Sequence, residues 1–172
     1  MGPIVNPSNG HTYYLLESKS WTASQAEARS LGGNLATVGS LSENQWIYDT
    51  FADPGGAGRN LWIGFNDVVA EGGFEWASGA PVSFTNWSLG EPNNLSIDGD
   101  PQDYVHIWGK FADIALMPAV RAPGTWNDHT DLGFDSTTTG NFGVVEVIPE
   151  PSAVLFIVIA AVSFGRRRRV VD

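Results

Sequence analysis

The sequence predicts an α+β domain with two short helices, small antiparallel sheets and a long loop region, followed by a C-terminal hydrophobic helix. Three observations lead there: an aromatic β run followed at once by two capped helical stretches, a wholly apolar run at Leu61–Phe65, and short β runs set among long acidic loops. The first strand is His11 to Leu16, where β-branched and aromatic residues concentrate. Thr22 with Gln25 and Ser40 with Glu43 have capping-box spacing, in which the first side chain accepts from the helix backbone and the second returns the contact. The first helix then runs to about Leu31 and stops at Gly32-Gly33, and the second runs from Leu41 to about Phe51. Gly55-Gly56-Ala57-Gly58 is a loop before the buried strand Leu61-Trp62-Ile63-Gly64-Phe65. Tyr104 to Trp108 and Gly143 to Val147 are further strands, and acidic loops of the length between them usually carry function.

Nineteen acidic residues against nine basic ones give a net charge of −10, and four of the nine are the run Arg166 to Arg169. The rest of the chain is therefore more acidic than the total suggests, which excludes nucleic acid as a partner and favours divalent cations. The absence of cysteine excludes disulfides, zinc–thiolate sites and thiol nucleophiles. One domain is expected from this length, and seven tryptophans with nine phenylalanines can fill its core. Most of the tryptophans read as core, with Trp87 and Trp108 the candidates for sugar stacking. His11, His106 and His129 lack metal-ligand spacing and read as structural or exposed.

Two runs of oxygen-bearing side chains, Glu91-Pro92-Asn93 and Trp126-Asn127-Asp128, point to calcium, a hard cation that takes six to eight oxygen ligands from carboxylates, amides and water. A cis bond before Pro92 would turn the backbone tightly enough to aim Glu91 and Asn93 at one point. With Gly32-Gly33-Asn34-Leu35-Ala36-Thr37 and Leu61-Trp62-Ile63-Gly64, these runs occur in the order and rough spacing of a C-type lectin-like domain, which residues 11–148 resemble. The resemblance implies that Glu91, Asn93, Asn127 and Asp128 bind Ca2+ and carbohydrate together. It also implies a fifth ligand, normally glutamate, at a place taken here by Gln102, with Asp98 or Asp100 as substitutes. It further implies a second calcium position at Asp67, Glu71, Asn94 and Asp103, which would brace the loop that presents Glu91; Asn94 replaces a usual aspartate. The family's disulfide cysteines fall near Ala28, Val145 and Tyr104, so apolar packing must replace a bridge between Ala28 and Val145. The stretch from Gly109 to Gly124 is longer than the usual strand connection.

The last part of the chain differs in kind. Val147-Ile148-Pro149-Glu150-Pro151-Ser152 leads into an apolar run, about 153–165, and then the arginines. A tilted helix with snorkelling arginines could insert there, with the arginines cytoplasmic and the acidic domain outside. Pro-Glu-Pro, apolar helix and arginine cluster in that order resemble the bacterial PEP-CTERM sorting signal, which implies an exosortase as processing partner. The implied location is membrane-tethered and then cell surface or extracellular. Residues 1–10 form an N-terminal segment without the basic and apolar regions of a signal peptide, so the export signal is expected upstream of Met1.

The expected function is a calcium-dependent carbohydrate-binding module acting on a glycan or exopolysaccharide. The Glu-Pro-Asn order implies a preference for mannose-, glucose- or fucose-type hydroxyl pairs. The alternative is a calcium-independent protein-binding or adhesion module of the same fold. An enzyme is not expected: Glu91, Asp103 and Asp128 could in principle pair as acid and base, but no carboxyl group sits in an apolar sequence setting that would raise its pKa.

Overall fold

The computed structural model describes residues 2–96, 99–110, 122–133 and 141–149. Its strands are β1 (Ile4–Val5), β2 (Thr12–Ser18), β3 (Asn34–Leu35), β4 (Leu61–Asn66), β5 (Glu75–Trp76), β6 (Tyr104–Ile107), β7 (Trp126–His129) and β8 (Phe142–Val147). The helices are α1 (Trp21–Ser30) and α2 (Leu41–Ile47), the latter widening into a π turn at Tyr48–Ala52. The strands form one mixed sheet in the order β1-β2-β8-β4-β6-β7, with β3 beside β8 and β5 beside β4. Separate antiparallel sheets were expected. The parallel pairing of β4 with β8 joins them, because Leu61 and Trp62 sit in register with Phe142 and Gly143.

Both helices start where the sequence places them, with different chemistry. Ser20, not Thr22, caps α1 by accepting from Ala23 N–H at 3.2 Å. Gln25 turns away to bond Asn34 and the Leu35 N–H. At α2, Ser40 accepts from Glu43 N–H at 3.2 Å, and the Glu43 carboxylate returns to Gly39 N–H at 2.9 Å, one residue earlier than a capping box.

Leu61–Asn66 is buried at every position, as the unbroken apolar run Leu61–Phe65 requires, and Asn66 is a buried polar end. Gly64 is needed there because a Cβ would stand 2.5 Å from the Leu35 carbonyl oxygen. A Cβ on Gly33 would meet the Glu146 carbonyl oxygen at 2.1 Å, which accounts for the second glycine of that motif. Ala28 and Val145, fully buried, pack with Leu16 in one cluster, so apolar contact stands where a disulfide would cross-link. Trp62 and Trp126 are fully buried, and Trp108, a candidate for sugar stacking, is only 3% exposed and belongs to the core. Trp87 is half-buried against that core. Among the described residues no helix is long and apolar enough to cross a membrane; the expected span at 153–165 lies outside them, as do Asp98 and most of 109–124.

Candidate calcium and carbohydrate site

The two oxygen-bearing runs meet because the segments just before them pair. Asn86 to Ser88 lies parallel to Thr125–Trp126: Trp126 N–H donates to the Asn86 carbonyl at 2.8 Å, and Ser88 N–H to the Trp126 carbonyl at 2.9 Å. Glu91 follows directly, its N–H bonded to the Ser88 carbonyl at 3.1 Å, and the Glu91–Pro92 bond is cis as anticipated. Nothing in the sequence marks Asn86 or Ser88, whose side chains add to the pairing: the Asn86 amide donates to the Gly124 carbonyl at 2.9 Å and the Ser88 hydroxyl bonds that of Thr125.

Asp128 then ties the runs together. Its carboxylate accepts the Asn93 N–H at 3.1 and 3.2 Å and the Asn94 N–H at 2.7 Å, across up to 35 residues of chain. The Asn93 side-chain oxygen accepts from Leu95 N–H at 2.8 Å, which fixes an exposed amide. Asn94 sits at φ 48°, in the left-handed region that asparagine tolerates better than most side chains. Its amide nitrogen donates to Glu71 at 2.6 Å and its oxygen accepts from Gln102 N–H at 2.7 Å. Asn127, buried beside β6, directs its amide nitrogen to the Asp128 carbonyl and toward His106 Nε2 at 3.4 Å. His106 is fully buried between Trp62 and Trp108, in keeping with a structural histidine.

The second set is assembled around Asp67, at the end of β4. Its N–H donates to the Asp103 carbonyl at 3.1 Å, and its Oδ2 accepts from Gly72 N–H at 2.8 Å. The residue is 2% exposed, and its other oxygen, Oδ1, is buried without a hydrogen-bond partner among the described residues. Burial first, and then the Asp103 and Asp128 carboxylates, push the Asp67 pKa up, against an opposing pull from the Gly72 N–H. On surface-exposed Glu71 the shift is also upward, from desolvation and then from Asp67, Asp103 and Asp128. The expectation that no carboxyl group has a raised pKa is therefore corrected at Asp67: the preceding strand buries it, although Val68 and Val69 beside it are exposed. These carboxylates feel one another without closing on a point; among the described residues no three His, Asp or Glu side chains are close enough to hold a metal on their own. Amide oxygens from Asn93, Asn94, Asn127 and Gln102 would have to complete any ligand set.

A profile of the lectin C-type domain matches residues 17–131. The chain belongs to that family. It is 35% identical over 127 residues to C-type mannose receptor 2 of Homo sapiens, which covers 73% of this chain and 7% of the receptor's own length. The chain thus spans a small fraction of this much longer relative. Its fold is similar to the cow C-type carbohydrate-recognition domain of CD23 solved in the presence of GlcNAc2Man3 oligosaccharide, with TM-score 0.62 and 23% identity over 81% of this chain and 89% of that one. It is also similar to a calcium-independent type II antifreeze protein, with TM-score 0.60 and 18% identity over 85% and 95% of the two chains. C-type lectin domains are binding modules rather than enzymes, which sets aside the acid and base pairing of Glu91, Asp103 and Asp128.

Proposed function

We propose that this C-type lectin domain binds carbohydrate through calcium held by Glu91, Asn93, Gln102, Asn127 and Asp128, with a second calcium at Asp67, Glu71, Asn94 and Asp103. The observation that carries this reading is the Asp128 carboxylate, which draws Asn93 and Asn94 to β7 and so gathers oxygen ligands from both runs. The buried, unpartnered Oδ1 of Asp67 supports it, since a buried carboxylate oxygen without a donor is the kind of group a hard cation satisfies. Bound calcium would supply coordination places for two neighbouring sugar hydroxyls. The protein's share is orientation: Glu91 and Asp128 accept from sugar hydroxyls, while the asparagine amides donate through nitrogen. The Glu-Pro-Asn order favours mannose-, glucose- or fucose-type hydroxyl pairs, and useful affinity for a shallow site comes from repeated sugars on a polymer.

A second reading, calcium-independent binding of protein, is favoured by one observation: Gln102 leaves the principal set a carboxylate short, so that it holds only Glu91 and Asp128. Retention on a mannose polymer separates the two. The first reading expects retention in calcium, release by chelator and loss in the double variant Glu91→Gln/Asn127→Asp; no retention with or without calcium, by a chain whose melting ignores calcium, supports the second.

The tail extends this proposal: the acidic domain is exported in a bacterium, tethered by a helix at 153–165 and released by an exosortase to the surface or to exopolysaccharide. A mass measurement on surface-released protein, expected to end near Pro149-Glu150-Pro151, checks it; full-length protein in that fraction contradicts it.

A further inference from the structure

The first backbone N–H groups of a helix lack partners within it and favour an anion nearby. Helix α1 has no acidic residue in its first turn. Ser20 satisfies Ala23 N–H, but Trp21 N–H donates to the Asp131 carbonyl at 2.9 Å and Thr22 N–H to Asp131 Oδ1 at 2.8 Å. Thr22 Oγ1 adds a third bond, to Asp131 Oδ2 at 2.9 Å. The anion of α1 thus comes from 109 residues along the chain and from a position three residues past Asp128.

We infer that Asp131 is a positioning residue for the cation site, fixing the end of β7 to α1 so that Asp128 reaches the Asn93 and Asn94 N–H groups. Both ends of this clamp are anchored. Trp21 is buried, donates through Nε1 to the Ile63 carbonyl at 2.7 Å and packs on the Tyr104 ring at 4.8 Å between centroids. Tyr104 in turn pairs with His129 across β6 and β7. A chain without cysteine has no covalent cross-link for this loop, and beyond the β6–β7 ladder the Asp131 contacts join it to α1. The inference concerns geometry present before any metal binds, while its calcium arm rests on the function proposed above.

The test is amide exchange and calcium titration on the full chain, comparing Asp131→Ala, Asp131→Asn and a charge control, Glu17→Ala, at the one exposed position of β2. In chelator, Asp131→Ala should speed exchange of the Asn93 and Asn94 amides about fivefold, the size a lost helix cap implies, while Ile63 in β4 stays unchanged. Calcium affinity should fall by a similar factor. Asp131→Asn, which keeps an acceptor for Thr22, should restore most of both effects, and Glu17→Ala should show neither. Unchanged exchange at Asn93 and Asn94 overturns the inference, and so does uniform acceleration everywhere, which would make Asp131 an ordinary helix cap. If Asp131→Ala does not fold, Thr22→Val decides on the same readout, with a smaller local acceleration expected and none overturning it. A parent protein that ignores calcium refutes the lectin reading and leaves the exchange result to judge Asp131.

Discussion

Two carboxylate clusters in this domain have opposite fates. Near the chain's first strand, Glu43 and Glu146 are fully served: Glu146 accepts from His11 at 2.6 Å, Tyr13 at 2.9 Å and Thr37 N–H at 2.9 Å, and Glu43 from Tyr13, Asn9 and Gly39 N–H. In the loop face, burial and then the neighbouring carboxylates raise the cost of ionising Asp67, Glu71 shifts the same way, and neither ion pair among the described residues reaches this cluster. The first cluster is a closed hydrogen-bonded network, whereas the second, although Asp128, Asp67 and Glu71 accept hydrogen bonds, has no cationic partner among the described residues and leaves Asp67 Oδ1 without a donor there. Acidic residues alone therefore do not distinguish a fold element from a cation site; the donors around them do.

The largest expected effect tests the closed network. Glu146→Ala strands the His11 ring and the Thr37 N–H, while Tyr13 keeps Glu43 as acceptor, and should cost about 3 kcal/mol of stability with or without calcium, read by denaturant unfolding. Asp128→Ala should come next, losing calcium binding and about 1–2 kcal/mol from the two asparagine N–H bonds that it receives. Asp67→Asn should separate the clusters most cleanly: in chelator it unfolds no more easily than the parent, because a buried charge has been removed, yet it loses part of the stabilisation by calcium. A loss as large as that of Glu146→Ala would erase the contrast.

The smallest effect concerns pH. Asp67 has a folded pKa raised above its unfolded value, so the stability it contributes is full below the ordinary carboxylate range and lost as pH rises through the folded value. In chelator, thermal melting of the parent should therefore improve relative to Asp67→Asn as pH falls from neutral toward that range. Calcium affinity should weaken over the same interval, because protons compete for the same oxygens.

Much of this was legible from local pattern. The apolar run at Leu61–Phe65 had to be a buried strand, the first helix stops before Gly32-Gly33, and the two oxygen-bearing runs do meet through Asp128 and Asn93. What escaped depends on contacts between distant segments. Thr22 has the spacing of a cap but serves as a donor to Asp131, and Trp108 turns inward because His106 and its strand carry it into the core. The raised pKa of Asp67 could not be read from neighbouring residues, since exposed Val68 and Val69 say nothing of the strand that buries the carboxylate.

The central claim is that the uncompensated loop carboxylates, with the asparagine amides, form a calcium site that presents sugar hydroxyls. Calorimetric titration of calcium into the full chain, with and without a mannose polymer, tests it most directly. The account predicts saturable calcium binding that tightens when the polymer is present and disappears in Glu91→Gln/Asn127→Asp. Polymer binding with no calcium uptake would contradict it.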